Sequence, residues 1–118
     1  MKKLLLIEDD SALREIYKRV FEENGWKVYE AENGKVALEM LKKCSPDIIL
    51  LDILMPEKDG FDFLRAFKEK GMKYPVVVLT NLSGEEYRQK TLELGARDYL
   101  LKVDFTPQEL VKKVESYL

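Results

Sequence analysis

The sequence predicts an α/β domain: a doubly wound, five-stranded parallel sheet in the order 2-1-3-4-5, covered by five helices. Three observations carry that prediction. Short apolar runs alternate with stretches of helical periodicity along the whole of the 118 residues. Leu4-Leu5-Leu6-Ile7, Ile48-Ile49-Leu50-Leu51 and Val76-Val77-Val78-Leu79 are apolar throughout, as strands buried on both faces must be. Each of these runs stops at a polar group: Glu8-Asp9-Asp10, Asp52 and Thr80. The wholly apolar strands belong in the middle and the mixed Trp26–Glu30 stretch at an edge. The chain then reverses direction between strands one and three, where open α/β sheets hold ligands at the carboxyl ends of their strands.

Length and composition narrow the classes. The 118 residues suffice for one domain with a real core, spanning 1–118, and are too few for two. Hydrophobic residues make up 46%, enough to fold. The net charge of −2 argues against direct nucleic-acid binding or an anionic membrane surface. The lone Cys44 excludes an internal disulfide and suits a reducing, cytoplasmic compartment. No apolar run approaches a membrane span, and the start Met1-Lys2-Lys3 with four apolar residues is too short for a signal peptide. The chain has no histidine, so His-based triads and zinc sites with His ligands are excluded.

The elements follow in order. After the first strand, Leu13, Ile16, Tyr17, Val20 and Phe21 form one helical face that stops at Asn24-Gly25. The edge strand at Trp26 leads through Asn33-Gly34 to a second helix, with Val36, Ala37, Met40, Leu41 and Cys44 at helical spacing, read as core packing. Ser45-Pro46 breaks it and starts the central strand, which Pro56 and the Asp59-Gly60 turn end. A third helix carries Phe63, Leu64 and Phe67 and stops near Gly71. Pro75 introduces the fourth strand. Ser83-Gly84-Glu85-Glu86 reads as a capping box for a fourth helix whose apolar face is thin: Tyr87, Thr91 and Leu94. Asp98–Lys102 is the fifth strand. Thr106-Pro107-Gln108-Glu109 is a second capping box, opening a helix with Leu110, Val111, Val114, Tyr117 and Leu118.

This topology gathers Glu8, Asp9 and Asp52 at one crevice, where carboxylates repel unless a cation sits between them. With oxygen donors alone the ion is Mg²⁺, with Mn²⁺ as the second choice. Lys102 adds a fixed positive charge from the end of strand five, and Thr80 a hydroxyl from strand four. A carboxylate nucleophile, a hard cation, an ammonium and a hydroxyl make a phosphoryl-transfer site: Asp52 attacks, and the others neutralise charge on the phosphoryl oxygens. Taken singly, an Asp or Lys after a strand is an ordinary loop residue and Thr80 an ordinary helix cap. The combination at four strand ends is what points to chemistry.

The residues Leu5-Leu6-Ile7-Glu8-Asp9-Asp10, Leu51–Gly60, Leu79-Thr80 and Tyr99-Leu100-Leu101-Lys102 closely resemble the receiver domain of bacterial two-component response regulators, over the whole chain and in the right order. The resemblance implies a flavodoxin-like fold and a phosphorelay role in the cytoplasm. Asp52 accepts a phosphoryl group from a sensor histidine kinase or a histidine phosphotransfer protein. Asp9 binds Mg²⁺ directly, Glu8 through water, and the Leu54 carbonyl is a further ligand. Thr80 and Lys102 grip the phosphoryl oxygens. Tyr99 matches an aromatic that swings inward on activation, changing a face of helix four, strand five and helix five that meets a downstream effector. Such a protein is a phosphoacceptor that catalyses its own phosphotransfer and slow autodephosphorylation, rather than an enzyme acting on other substrates. No output domain follows Leu118, so the expectation is a stand-alone receiver like a chemotaxis regulator, or a piece of a longer protein.

Three positions depart from the family pattern. Val103 follows Lys102 where the family has Pro, often in a cis bond that would cost roughly 2.5–4 kcal/mol before Val. Asn81 stands where a small residue is commoner. Leu54 and Leu82 lie two residues beyond Asp52 and Thr80, where polar side chains handle the hydrolytic water, so the expectation is a long-lived phosphoryl signal. Competing readings fare worse. A haloacid dehalogenase-like phosphatase wants a second acid where Leu54 stands. A flavin mononucleotide binder wants donors where Glu8-Asp9-Asp10 would repel the phosphate. A receiver-like partner-binding module that is never phosphorylated has no need of intact Asp9, Asp52, Thr80 and Lys102.

Overall fold

The structure is a computed structural model that describes residues 1–55 and 60–118. Pro56 and Asp59, read above as the stop of the central strand and part of a turn, lie outside the described residues. Strands β1 (Lys2–Ile7), β2 (Trp26–Ala31), β3 (Ile48–Leu51), β4 (Val76–Thr80) and β5 (Asp98–Leu101) alternate with helices α1 (Ser11–Glu23), α2 (Gly34–Met40), α3 (Gly60–Glu69), α4 (Glu85–Glu93) and α5 (Pro107–Glu115). All strand pairs are parallel, in the order β2-β1-β3-β4-β5. The expected topology therefore holds, with the crossover point between β1 and β3.

The period of two along each strand sorts the core into two layers. Leu5, Ile7, Ile49, Leu51, Val76 and Val78 face α2 and α3, with Phe63, Leu64 and Phe67 packed on them. Leu4, Leu6, Ile48, Leu50, Val77 and Leu79 face α1 and α5, with Tyr17, Phe21, Leu110, Val111 and Val114. Every residue of β3 is buried on both faces, which is why its sequence shows no polar alternation. Trp26 closes one end of the second layer: its ring meets Phe21 edge-on at 5.4 Å, and its indole N–H donates to Glu115 at 3.2 Å. Gly60 starts α3 against the chain that leaves β3. A Cβ there would lie 2.4 Å from the Ile53 Cα, so no side chain fits.

Three local readings change. Ile16 is 49% exposed, because it sits at the flank of the stripe formed by Leu13, Tyr17, Val20 and Phe21. Helix α2 ends at Met40 rather than Cys44. The Lys42 and Lys43 amides turn to the carbonyls three residues back, at 3.2 and 2.9 Å, and Cys44 is left half-buried. The Ser83 capping box does not form. Gly84 takes the cap position with φ of 136°, which no helical residue adopts, and supplies no side-chain bond. The Thr106 box does form, with both reciprocal bonds and Pro107 in the first turn. After β5 the chain makes a 3₁₀ turn over Lys102–Asp104, and the described peptides, that between Lys102 and Val103 included, are all trans. No helix among the described residues is long and apolar enough to cross a membrane.

Candidate functional site

The site is built by the register of β1 against β3. Ile7 pairs with Leu51, so the next residues, Glu8 and Asp52, stand side by side just past the strand ends. The ladder continues under them: the Asp52 amide donates to the Ile7 carbonyl at 3.1 Å and the Glu8 amide to the Ala31 carbonyl at 3.0 Å. Their side chains therefore project from fixed backbone. Both are buried, Glu8 at 2% and Asp52 at 6% exposure, while Asp9 is exposed beside them. Carboxylate oxygens of Glu8, Asp9 and Asp52 all lie within 4.8 Å of one another.

Two carboxylates buried this deeply need a countercharge. Lys102 supplies it. Its ammonium donates to Glu8 Oε1 at 2.6 Å and to Asp52 Oδ2 at 2.7 Å. The remaining oxygens are also engaged: Glu8 Oε2 accepts from the Asp10 amide at 3.2 Å, and Asp52 Oδ1 from the Leu54 amide at 3.0 Å. Burial pushes the Glu8 carboxyl up. The Lys102 hydrogen bond pulls it back, the Asp52 charge adds to the rise, and the net direction is upward. Burial would lower the Lys102 ammonium, but its hydrogen bonds to Asp52 and Glu8 outweigh that and hold it above its ordinary value. One ammonium thus balances one of two buried carboxylates, and with Asp9 the cluster stays negative. Three converging carboxylates with no soft donor among them suit a hard divalent cation such as Mg²⁺.

The other expected residues are placed as follows. Thr80 is fully buried and pairs with Leu101 across β4 and β5, between Asp52 and Lys102 in the sheet. Its hydroxyl oxygen accepts from the Leu82 amide at 3.2 Å, which leaves the hydroxyl proton to be donated elsewhere. The Leu54 side chain is 52% exposed, whereas Leu82 packs against the α2–α3 core layer. Asn81 is exposed. Tyr99 is half-buried, and its hydroxyl donates to the Leu82 carbonyl, tying β5 to the loop before α4. Tyr17, read only as core, lies within the field of the site: burial raises its phenol, Lys102 opposes this, and Glu8 and Asp52 add to it. Arg14 also reaches the site, donating to the Glu8 carbonyl at 2.7 Å, and no motif in the sequence marks it.

The fold and the cluster first define a class: a flavodoxin-like α/β module whose strand-end carboxylates converge on one lysine at the sheet's crossover point. Comparison with known proteins then narrows the class. The response regulator receiver domain family matches residues 4–115. The transcriptional regulatory protein CpxR of Escherichia coli is 41% identical over 118 residues, covering 100% of this chain and 50% of that protein. The phosphate regulon transcriptional regulatory protein PhoB of the same organism is 38% identical over 119 residues, covering 99% of this chain and 52% of that protein. The Vibrio cholerae chemotaxis protein CheY4 superposes with a TM-score of 0.92 at 29% identity, covering 100% of this chain and 99% of the other. The chain belongs to the response regulator receiver domain family, the phosphorelay modules of two-component signalling. It spans about half the length of the curated relatives it matches.

Proposed function

We propose that Asp52 accepts a phosphoryl group from a phosphohistidine on a sensor histidine kinase or histidine phosphotransfer protein. A carboxylate oxygen of Asp52 attacks phosphorus, the bond from phosphorus to the imidazole nitrogen breaks, and the imidazole departs with its electron pair and takes up a proton. The 118 residues contain no histidine, so the phosphohistidine lies outside this domain. Glu8, Asp9, Asp52 and the Leu54 carbonyl would hold Mg²⁺, or Mn²⁺ in its place. When bound, the ion offsets negative charge on the phosphoryl oxygens and orients them. Lys102, already bonded to Asp52, meets the incoming oxygens as a preplaced ammonium, and the Thr80 hydroxyl proton is available to donate to them. The single observation that supports this reading most is the Lys102 ammonium held at once on Glu8 and Asp52.

The protein is then a phosphoacceptor, with no further substrate of its own. The lone thiol of Cys44 suits a cytoplasmic setting. The output face comprises α4, β5 and α5, joined to the site through Thr80, Leu82 and Tyr99. Acetyl phosphate with Mg²⁺ tests the acceptor. Intact mass should show one added phosphoryl group on wild type and none on Asp52→Asn. Equal phosphorylation of both would refute the assignment, and phosphorylation of neither would favour a module that binds partners without being phosphorylated.

A further inference from the structure

The turn that carries Glu8 and Asp9 is gripped from outside the acid cluster. On one side, the Glu8 amide donates to Ala31 at the end of edge strand β2. On the other, the Glu8 carbonyl receives the Arg14 guanidinium, Nη1 to O at 2.7 Å. The same guanidinium donates through Nε to Glu30 Oε1 at 3.2 Å, and Glu30 Oε2 lies 3.3 Å from the Lys18 ammonium. Glu30 pairs with Leu6 in the β1–β2 ladder, so it is anchored to the strand that ends in Glu8. Arg14 itself starts from a fixed point, since its amide bonds to the Asp10 carbonyl at 2.9 Å and Asp10 caps α1.

The Glu8 carbonyl belongs to the peptide that joins Glu8 to Asp9. A donor on that oxygen sets the peptide plane, and the plane sets where the Asp9 side chain leaves the backbone. Asp9 is the exposed member of the carboxylate trio, so the surrounding packing does little to fix it. We infer that Arg14 is a positioning residue, with Glu30 as its anchor, that holds the Glu8–Asp9 peptide so that the carboxylates converge on a divalent cation. The inference rests on the acid cluster being the ion site proposed above.

Charge alone makes the opposite prediction, which gives a test of sign. Arg14 is a cation near an acid cluster. If it acted through charge, its removal would tighten cation binding. If it holds the turn, its removal weakens binding, by about tenfold for the loss of a residue that orients ligands. Lys18 is the matched control, because it shares Glu30 and carries the same charge but makes no bond to Glu8.

The experiment is calorimetric titration of Mg²⁺ into wild type, Arg14→Ala, Arg14→Lys, Lys18→Ala and Asp9→Ala, with the melting temperature of each in chelator as a fold check. Arg14→Ala should raise Kd by about tenfold, Arg14→Lys should fall between it and wild type, and Lys18→Ala should bind no more weakly than wild type. If Arg14→Ala does not fold, Arg14→Lys against Lys18→Ala decides the matter. Unchanged or tighter binding in the Arg14 variants, or equal weakening in Lys18→Ala, overturns the inference. Asp9→Ala separates the two levels. Abolished binding there with wild-type binding in Arg14→Ala removes only the positioning role, and retained binding in Asp9→Ala removes the ion site and the inference with it.

Discussion

Helices α4 and α5 have the same length and flank the same edge strand, yet they are held very differently. Helix α5 buries Leu110, Val111 and Val114 and carries a complete capping box. Helix α4 buries Thr91 alone among its residues and starts at a glycine that offers no side-chain cap. Even the Thr91 hydroxyl is spent inside its own helix, donating to the Tyr87 and Arg88 carbonyls. An apolar stripe and a cap hold α5 down. Neither acts on α4, so its position rests on loop contacts such as the Tyr99 bond to Leu82 and on Leu94 packing at its far end. On the proposed function, this weakly anchored helix is the element that phosphorylation of Asp52 would move at least cost.

Breaking the strong side of this comparison should give the largest effect. Leu110→Ala removes a fully packed side chain and should cost about 2–4 kcal/mol in urea unfolding, against about 1 kcal/mol for Thr91→Ala. Near-equal costs would mean that α4 is anchored as firmly as α5. Metal linkage comes next. At a Mg²⁺ concentration of roughly one hundred times Kd, binding should add about 2.7 kcal/mol. Asp9→Ala should remove most of the resulting rise in melting temperature, and an unchanged rise would put the ion elsewhere.

The caps sharpen the contrast at smaller scale. Thr106→Ala should destabilise by about 1 kcal/mol, while Ser83→Ala should stay within about 0.5 kcal/mol. The Thr106 backbone and hydroxyl bonds hold the Glu109 carboxyl below its ordinary value near 4.5. A lowered carboxyl contributes stability that is full above that value and lost as pH falls through the lowered one. The advantage of wild type over Glu109→Gln should therefore shrink in acid, and a constant difference would contradict the capping account. The smallest effect is on rate rather than stability. Leu54→Asn with Leu82→Glu should speed loss of the Asp52 phosphate several-fold by giving water a hydrogen-bonding partner near the phosphoryl group. Because Leu82 packs against the core, an equal or slower rate would mean that these leucines only fill space.

The sheet was legible because β3 and β4 are buried on both faces, and continuous apolar runs have few other uses in so short a chain. Glu8, Asp52 and Lys102 were legible for the same reason: each directly follows a strand, so strand order alone brings them together. Arg14 was not. Its bond to Glu8 depends on how the first turn of α1 leans over β2, which no spacing rule encodes. Ser83 misled because its pattern fits a box, while Gly84 can adopt a φ that starts the helix one residue later. The extent of α2 misled because apolar spacing persists through Cys44, although the approach to Pro46 has already tightened the backbone.

Amide hydrogen exchange of the protein with and without acetyl phosphate and Mg²⁺, read helix by helix, tests most directly the claim that phosphorylation at Asp52 acts on the loosely held helix. The account predicts a change in α4, β5 and α5 that exceeds any change in α2 and is absent from Asp52→Asn. A uniform change, or one confined to α2, would contradict it.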